Sequence, residues 1–111
     1  MLTIEMPRGD IRDVRFRVNN GQETEFDNIY FTVKGTARDK AYLFQKKLSD
    51  GGIVLDNEGY FNLRIEAQDT NDLSYTTYDF DIELVRGTNI KQTTVGQLII
   101  TKEVTFQSNE V

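Results

Sequence analysis

The stretch YDFDIEL, residues 78–84, decides the fold class, because apolar and acidic side chains alternate along its whole length. Successive side chains of an extended strand point to opposite faces of a sheet, so the apolar residues share one face and the carboxylates the other. One face on a hydrophobic core and one in water is typical of an antiparallel strand. The stretch therefore predicts a half-buried strand of a β-sheet.

Three other segments, residues 14–18, 29–33 and 61–65, show the same alternation. No segment has a comparably strong helical period. The residues between these segments include glycine, asparagine and aspartate, which favour turns. Short strands separated by turns in this way predict an all-β sandwich or barrel of about seven to eight strands.

Short sequence patterns predict three further local features: a tight turn, a helical turn and an edge strand. Residues 19–21, Asn-Asn-Gly, can supply the positive φ angles of a tight turn. One short helical turn is expected near residues 69–73, with Asp69 or Thr70 as its cap. Residues 41–48 are expected to form an edge strand whose lysines discourage aggregation between sheets.

The chain length and composition limit the classes of protein to consider. With 111 residues and no cysteine, we expect one domain over 1–111 without disulfides, with 107–111 as a frayed tail. The first residues lack the pattern of a signal peptide, and no apolar run is long enough to span a bilayer. The net charge of −5 argues against nucleic-acid and membrane partners.

The absence of histidine, together with that of cysteine, argues against an enzyme. These two side chains supply most proton transfer at neutral pH and the best thiol nucleophile. The carboxylates at 79, 81 and 83 would face water along one strand and pair with cations such as Arg64 on a neighbouring strand. We therefore predict no catalytic residue, no metal and no cofactor.

Two further groups of side chains are candidates for binding. Calcium takes oxygen ligands from loops, so the alternative to turn and helix capping is a calcium ion held by Asp56, Glu58, Asp69 and Asp72. Four tyrosines could form an exposed contact surface for a protein or a sugar, with packing in the core or in turns as the alternative: Tyr30, Tyr42, Tyr60 and Tyr75. The tripeptide at 8–10, Arg-Gly-Asp, is interpreted as a turn glycine between solvated charges.

The order of features along the second half of the chain carries a family resemblance. These features are GGI (51–53), DNEG (56–59), YFNLRI (60–65), AQDT (67–70), Leu73, YDFDIEL (78–84), TTVGQL (93–98) and EVT (103–105). This order resembles the immunoglobulin-like N-terminal domain of phage baseplate upper proteins and related small prophage structural proteins. The resemblance implies an immunoglobulin-like antiparallel β-sandwich and no catalytic residues.

The first hypothesis for function is therefore a non-catalytic virion structural protein of a phage or prophage, in a tail or baseplate. It would assemble with other virion proteins and as a homo-oligomer, through sheet edges and loops. We expect it in the host bacterial cytoplasm before assembly and then in the virion. The alternative is a carbohydrate-binding β-sandwich module, and a third hypothesis is a glycosidase-like enzyme using Asp56, Glu58 or Asp69.

Overall fold

Eight strands, one 3₁₀ turn and one α-helical turn make up the regular structure that the computed structural model describes, over residues 2–36 and 38–102. The tail predicted at 107–111 lies outside the described residues. The elements, in chain order, are β1 (Leu2–Pro7), β2 (Arg12–Phe16), a 3₁₀ turn (Asn19–Gly21), β3 (Asn28–Lys34), β4 (Phe44–Lys47), β5 (Ile53–Leu55), β6 (Phe61–Ile65), α1 (Ala67–Thr70), β7 (Thr77–Arg86) and β8 (Asn89–Thr101).

The strands form two sheets with the orders β1-β8-β7-β3-β4 and β2-β6-β5. All neighbouring strands are antiparallel except β1 and β8, which run parallel. The second, sixth and fifth strands share one sheet, and the last, seventh and third share the other, as in immunoglobulin domains. The predicted immunoglobulin-like sandwich is therefore confirmed.

Inward-facing apolar side chains of the two sheets form the core. The rings of Phe31 and Phe80 lie 5.0 Å apart in the five-stranded sheet, and those of Phe16 and Phe61 lie 5.6 Å apart in the three-stranded sheet. The hydroxyl of Tyr78 donates a hydrogen bond to the carbonyl of Ser74 at 3.0 Å. A hydrogen bond of this kind is the tyrosine corner of immunoglobulin-like domains. In antibody domains, the second cysteine of the disulfide lies two residues after the corner tyrosine. Phe80 takes that position here.

The single α-helical turn begins earlier than the sequence predicted. It spans Ala67–Thr70 instead of residues 69–73. The Oδ2 atom of Asp69 accepts a hydrogen bond from the backbone N–H of Glu66, the residue before the turn, at 2.7 Å. Asp69 is the third residue of the turn and caps its N-terminal end through this bond. Thr70 is not a cap, because its hydroxyl accepts the Gly9 N–H at 2.8 Å.

The other two local predictions hold. Asn19, Asn20 and Gly21 have φ angles of 51°, 56° and 85°, as the tight connection after β2 requires. Strand β4 lies at the edge of the five-stranded sheet, as predicted, but it spans Phe44–Lys47 instead of residues 41–48. One of its lysines has a second role, because the ammonium of Lys46 turns inward and lies 2.6 Å from Asp69. A half-buried ammonium would be costly without that carboxylate.

Replacing Gly96 by alanine is expected to destabilise the fold by about 1–3 kcal/mol, the usual cost of overpacking. Gly96 is buried in β8, and an added Cβ would lie 2.7 Å from the carbonyl oxygen of Leu2 and would clash with the ring of Phe80. Urea unfolding measures the change. The neighbouring substitution Val95→Ala, on an exposed side chain, is the control and should cost less; equal stabilities of the two variants would contradict the prediction.

Candidate functional site

Strand β8 is longer than the strand beside it at the sheet edge. Its residues pair with β7 from Asn89 to Ile99, whereas β1 pairs only with residues 96–101. Within residues 2–36 and 38–102, no strand pairs with the open side of β8 between residues 89 and 95. Because backbone groups alternate between the two sides of a strand, part of the N–H and C=O groups there point away from β7.

A cleft of about 470 Å³ opens between the two sheets beside this free edge. Its wall contains the buried side chains of Ile82 and Leu84 from β7, and its mouth contains Leu2, which is 48% exposed. The remaining lining residues are Phe16, Arg17, Val18, Asn19, Glu23, Gln92 and Thr94. We call the free edge of β8 over residues 92–95, together with this cleft, the β8 groove.

The inward-facing residues of β8 change from apolar to polar at the point where its pairing with β1 ends. Leu98 and Ile100 point inward and are buried in the half of β8 that pairs with β1, whereas the inward positions toward the start of the strand are Gly96 and then the polar Thr94 and Gln92. The free stretch, residues 92–95, reads Gln-Thr-Thr-Val and carries no charge. Three of these four residues are β-branched and favour extended backbone. The stretch is therefore suited to accept another strand.

The other sheet edges carry features that hinder strand addition. The guanidinium of Arg12 donates to the carbonyl of Glu5 at 2.9 Å and covers part of the edge of β1. Strand β2 carries the charged residues Arg12, Asp13 and Arg15, and β4 carries Lys47. Strand β5 has only three residues. Charges, covering side chains and short length are the usual protections of an edge strand. Residues 92–95 carry no charge, although Lys91 precedes them in the same unpaired stretch.

The carboxylates proposed for calcium are held in local structure. Oδ1 of Asp56 accepts the backbone N–H groups of Glu58 at 2.8 Å and Tyr60 at 3.0 Å, and its Oδ2 accepts the Asn62 amide at 3.0 Å. The guanidinium of Arg15 lies 3.2 Å from Asp56 and 2.6 Å from Glu58. The bond from Asn62, the two backbone N–H groups and Arg15 hold the pKa of Asp56 well below its usual range.

The second predicted pair of carboxylates lies in the connection between β6 and β7. Asp69 caps the N-terminal end of α1 and pairs with Lys46, and Asp72 is exposed in the turn that follows α1. In the described part of the chain, no three acidic, histidine or cysteine side chains cluster as they would around a metal ion. The structure therefore does not bring Asp56, Glu58, Asp69 and Asp72 together.

The four tyrosines lie in separate segments of the fold. Tyr30 is half-buried on the outer face of β3, and Tyr42 is 52% exposed in the connection before β4. The guanidinium of Arg15 lies 3.7 Å from the ring centre of Tyr60, and that of Arg8 lies 4.3 Å from the ring centre of Tyr75. The structure thus does not gather the tyrosines into one aromatic platform, and two of their rings are stacked under cations.

Two other charged motifs have structural surroundings that the sequence did not fully predict. Gly9 has a φ of 82° in the turn after β1, which agrees with the turn interpretation of Arg-Gly-Asp. The outward row of β7 lies across from β3, where Asp79 is opposite Lys34. The prediction that Arg64 pairs with this row was wrong, because Arg64 lies on β6 in the other sheet. Its guanidinium pairs with the carboxylate of Asp13 at 2.7 Å.

One member of that outward row is unusual. Asp81 Oδ1 is buried and has no hydrogen-bond partner within the described ranges. Burial raises the pKa of Asp81, and the positive charge of Lys34 partly opposes that rise. The carboxylate lies in a dent of about 30 Å³ on the sheet surface, with Thr32 and Val95 among its neighbours. A dent of this size has room for little more than a water molecule.

The β8 groove was not predicted from the sequence. Its only signal is the pair of polar residues, Gln92 and Thr94, at positions where the alternation of β8 requires inward side chains. The parallel pairing of β1 with the far half of β8 joins segments more than ninety residues apart, and alternation within a strand carries no information about such a partner.

Comparison with known proteins supports the fold. No protein-family model matches the chain, and no curated protein matches it. An endo-β-1,4-mannanase from Thermotoga petrophila is similar in structure, with a TM-score of 0.58 and 12% identity; the match covers 91% of this chain and 18% of the mannanase chain. The extracellular domain of the voltage-gated sodium channel β4 subunit has a TM-score of 0.43 and 13% identity, over 93% of this chain and 92% of that chain.

These similarities have a limited scope. At 12% identity, the similarity to the mannanase concerns the sandwich fold alone, and the chain spans less than a fifth of the length of that enzyme. In the described ranges, no helix has the length and apolar character needed to cross a membrane.

Replacing Asp56 by asparagine is expected to flatten the pH dependence of folding stability in the acid range. The folded pKa of Asp56 is depressed, whereas that of an unfolded aspartate is about 3.9. Such a group stabilises the fold above its unfolded pKa, and this contribution is lost as the pH falls through the folded pKa. Urea unfolding between about pH 5 and pH 2 measures the slope.

The control for this measurement is Asp50→Asn, which removes one negative charge from a turn in which Asp50 accepts the Gly52 N–H at 2.9 Å. The slope of the Asp56 variant should be lower than that of both the wild type and the control. A slope equal to theirs would contradict the assigned role of Asp56.

Proposed function

We propose that this chain is a non-catalytic structural protein of a phage or prophage particle, a tail or baseplate component that assembles through the β8 groove. The observation that carries the assembly role is the edge at residues 92–95, which carries no charge and has no pairing strand in the described part of the chain, beside a cleft lined by both apolar and polar side chains. The phage assignment rests on the resemblance of the sequence motifs to baseplate and prophage structural proteins. The partners would be other virion proteins and further copies of the chain, met first in the bacterial cytoplasm and then in the particle.

The β8 groove has the two parts that strand addition uses. The free backbone groups of residues 92–95 can form main-chain hydrogen bonds with an incoming strand, and these bonds supply affinity. The cleft can receive every second side chain of that strand, which supplies specificity. Leu2 at the mouth is half exposed, so burying it adds an apolar contribution to binding.

The chemistry of the groove favours binding over catalysis. Glu23 is the only carboxylate among its described lining residues, whereas a retaining glycosidase needs two carboxylates about 5 Å apart across a cleft. Glu23 itself pairs with Arg86 at 3.3 Å. The acidic residues of the glycosidase hypothesis are engaged elsewhere, Asp56 and Glu58 by Arg15 and Asp69 by Lys46.

The carbohydrate-binding alternative has less support in the geometry. A sugar platform needs exposed aromatic faces, but cations stack on Tyr60 and Tyr75, and Tyr42 lies in a different connection from either. Sugar arrays test this alternative directly. Reproducible binding that disappears in a Tyr42→Ala variant would favour it over the assembly role.

Leu2→Asp is expected to lower incorporation of the chain into particles at least tenfold, because a carboxylate at the mouth would have to be desolvated when a strand enters, and tenfold corresponds to about 1.4 kcal/mol. The measurement is the amount of chain in particles purified from the bacterial strain that encodes it. Ile11→Asp is the matched control, since Ile11 is 58% exposed and lies outside the groove.

Two outcomes would contradict the proposal. Absence of the wild-type chain from the purified particles would overturn the virion role. Equal incorporation of the two aspartate variants would overturn the role of the β8 groove in assembly. Circular dichroism of both variants checks that each retains the β-sandwich.

A further inference from the structure

We infer that the strand received by the β8 groove is residues 103–111 of a second copy of this chain. This inference rests on the proposed assembly function and names the partner at the same site. The segment begins one residue after Lys102, which follows the end of β8 at Thr101, and it lies outside the described residues. Its sequence and its point of attachment therefore carry the argument.

The sequence of this segment has the pattern that the groove requires. It reads EVTFQSNEV, in which the apolar Val104 and Phe106 alternate with the polar Thr105 and Gln107. In an extended segment, Val104 and Phe106 would point to the same side. That side can enter the cleft and contact its apolar lining residues Phe16, Ile82 and Leu84, while the backbone pairs with residues 92–95.

The segment cannot place these side chains in the groove of its own chain. Strand β8 ends at Thr101, and its free edge begins six residues earlier, at Val95, which is about 20 Å away along the strand. Strand β1 already occupies the edge between these points. Val104 and Phe106 lie two and four residues beyond Lys102, which gives them a reach of about 7 and 14 Å at most. A second copy is therefore the donor.

The charges at the groove and in the segment are complementary. Glu103 and Glu110 are the charged side chains of the segment. At the groove, Glu23 is paired with Arg86, whereas Arg17 is exposed and its guanidinium lies 5.1 Å from the ring centre of Tyr60. The rim therefore presents a cation to an acidic segment, which favours encounter of the two.

The geometry of this contact has a consequence for assembly. The donor segment begins at the end of the sandwich where β8 ends, and the groove lies along the first half of the same strand. Two different surfaces of the chain are joined, so the contact is head-to-tail. Such contacts generate rings or open filaments instead of closed twofold dimers.

The test uses two full-length variants that each disable one side of the contact. Phe106→Asp disables the donor segment, and Leu2→Asp disables the groove. Analytical ultracentrifugation over a range of concentrations should show larger assemblies for the wild type and monomers for each variant alone. An equal mixture of the two variants should form one-to-one dimers, because one variant keeps an intact segment and the other an intact groove.

Two matched controls accompany these variants. Thr105→Asp adds the same charge to the donor segment at a position that, in an extended segment, would alternate with Val104 and Phe106 and lie on the other side. Ile11→Asp adds it to the exposed surface outside the groove. Both controls should assemble as the wild type does, with apparent dissociation constants within about threefold, since an exposed substitution usually changes free energies by about 0.5 kcal/mol or less.

Other results would overturn the inference. Self-association of Phe106→Asp equal to the wild type would mean that another strand, such as β8 of a twofold-related copy, fills the groove. A wild-type chain that stays monomeric at all concentrations, or a mixture that forms no dimers, would also overturn it. Particle incorporation separates this failure from that of the proposed function: normal incorporation of Phe106→Asp with loss of Leu2→Asp leaves the assembly role intact and removes only the donor assignment.

Discussion

The contact between the apolar faces of the two sheets is the constraint on which the structure depends. The chain has no cysteine, so no disulfide joins the sheets as one does in antibody domains. The aromatic pairs Phe31–Phe80 and Phe16–Phe61 fill the space on the two inner faces. Because burial of apolar surface is the main driving force, a strand such as β7 that packs along its whole length keeps its alternation of apolar and polar side chains.

The same constraint explains where the fold is left open. Because Gly96 has no side chain, the carbonyl of Leu2 in β1 and the ring of Phe80 in β7 both lie close to the backbone of β8. Strand β1 therefore pairs with the second half of β8. It pairs only with residues 96–101 of β8, and no strand of the described ranges pairs with that side of β8 before them. The polar residues Gln92 and Thr94 occupy the inward positions of the open half. A cleft that includes Phe16, Ile82 and Leu84, beside an edge that no described strand pairs with, is the physical basis for the proposed assembly role.

The carboxylates that were candidates for calcium binding or for catalysis make hydrogen bonds and ion pairs within the local structure. Asp56 organises the turn before β6, and Arg15 joins it to Glu58 while stacking on Tyr60. Asp69 combines a helix cap with an ion pair to Lys46, and that pair links the edge strand β4 to the connection after β6. Residue types alone could not distinguish these roles from ligand binding, because the distinction depends on which side chains of other strands lie nearby.

The sequence by itself determined the all-β class, the inward and outward faces of the strands, and the positive φ angles at residues 19–21. These properties follow from interactions between residues close in the chain: alternation has a period of two, and turn residues act on their own backbone. Only the tertiary structure decided the parallel pairing of β1 with β8, the inward turn of Lys46 and the existence of the β8 groove. Each of these depends on which distant segments meet, and that is set by the packing of the whole core.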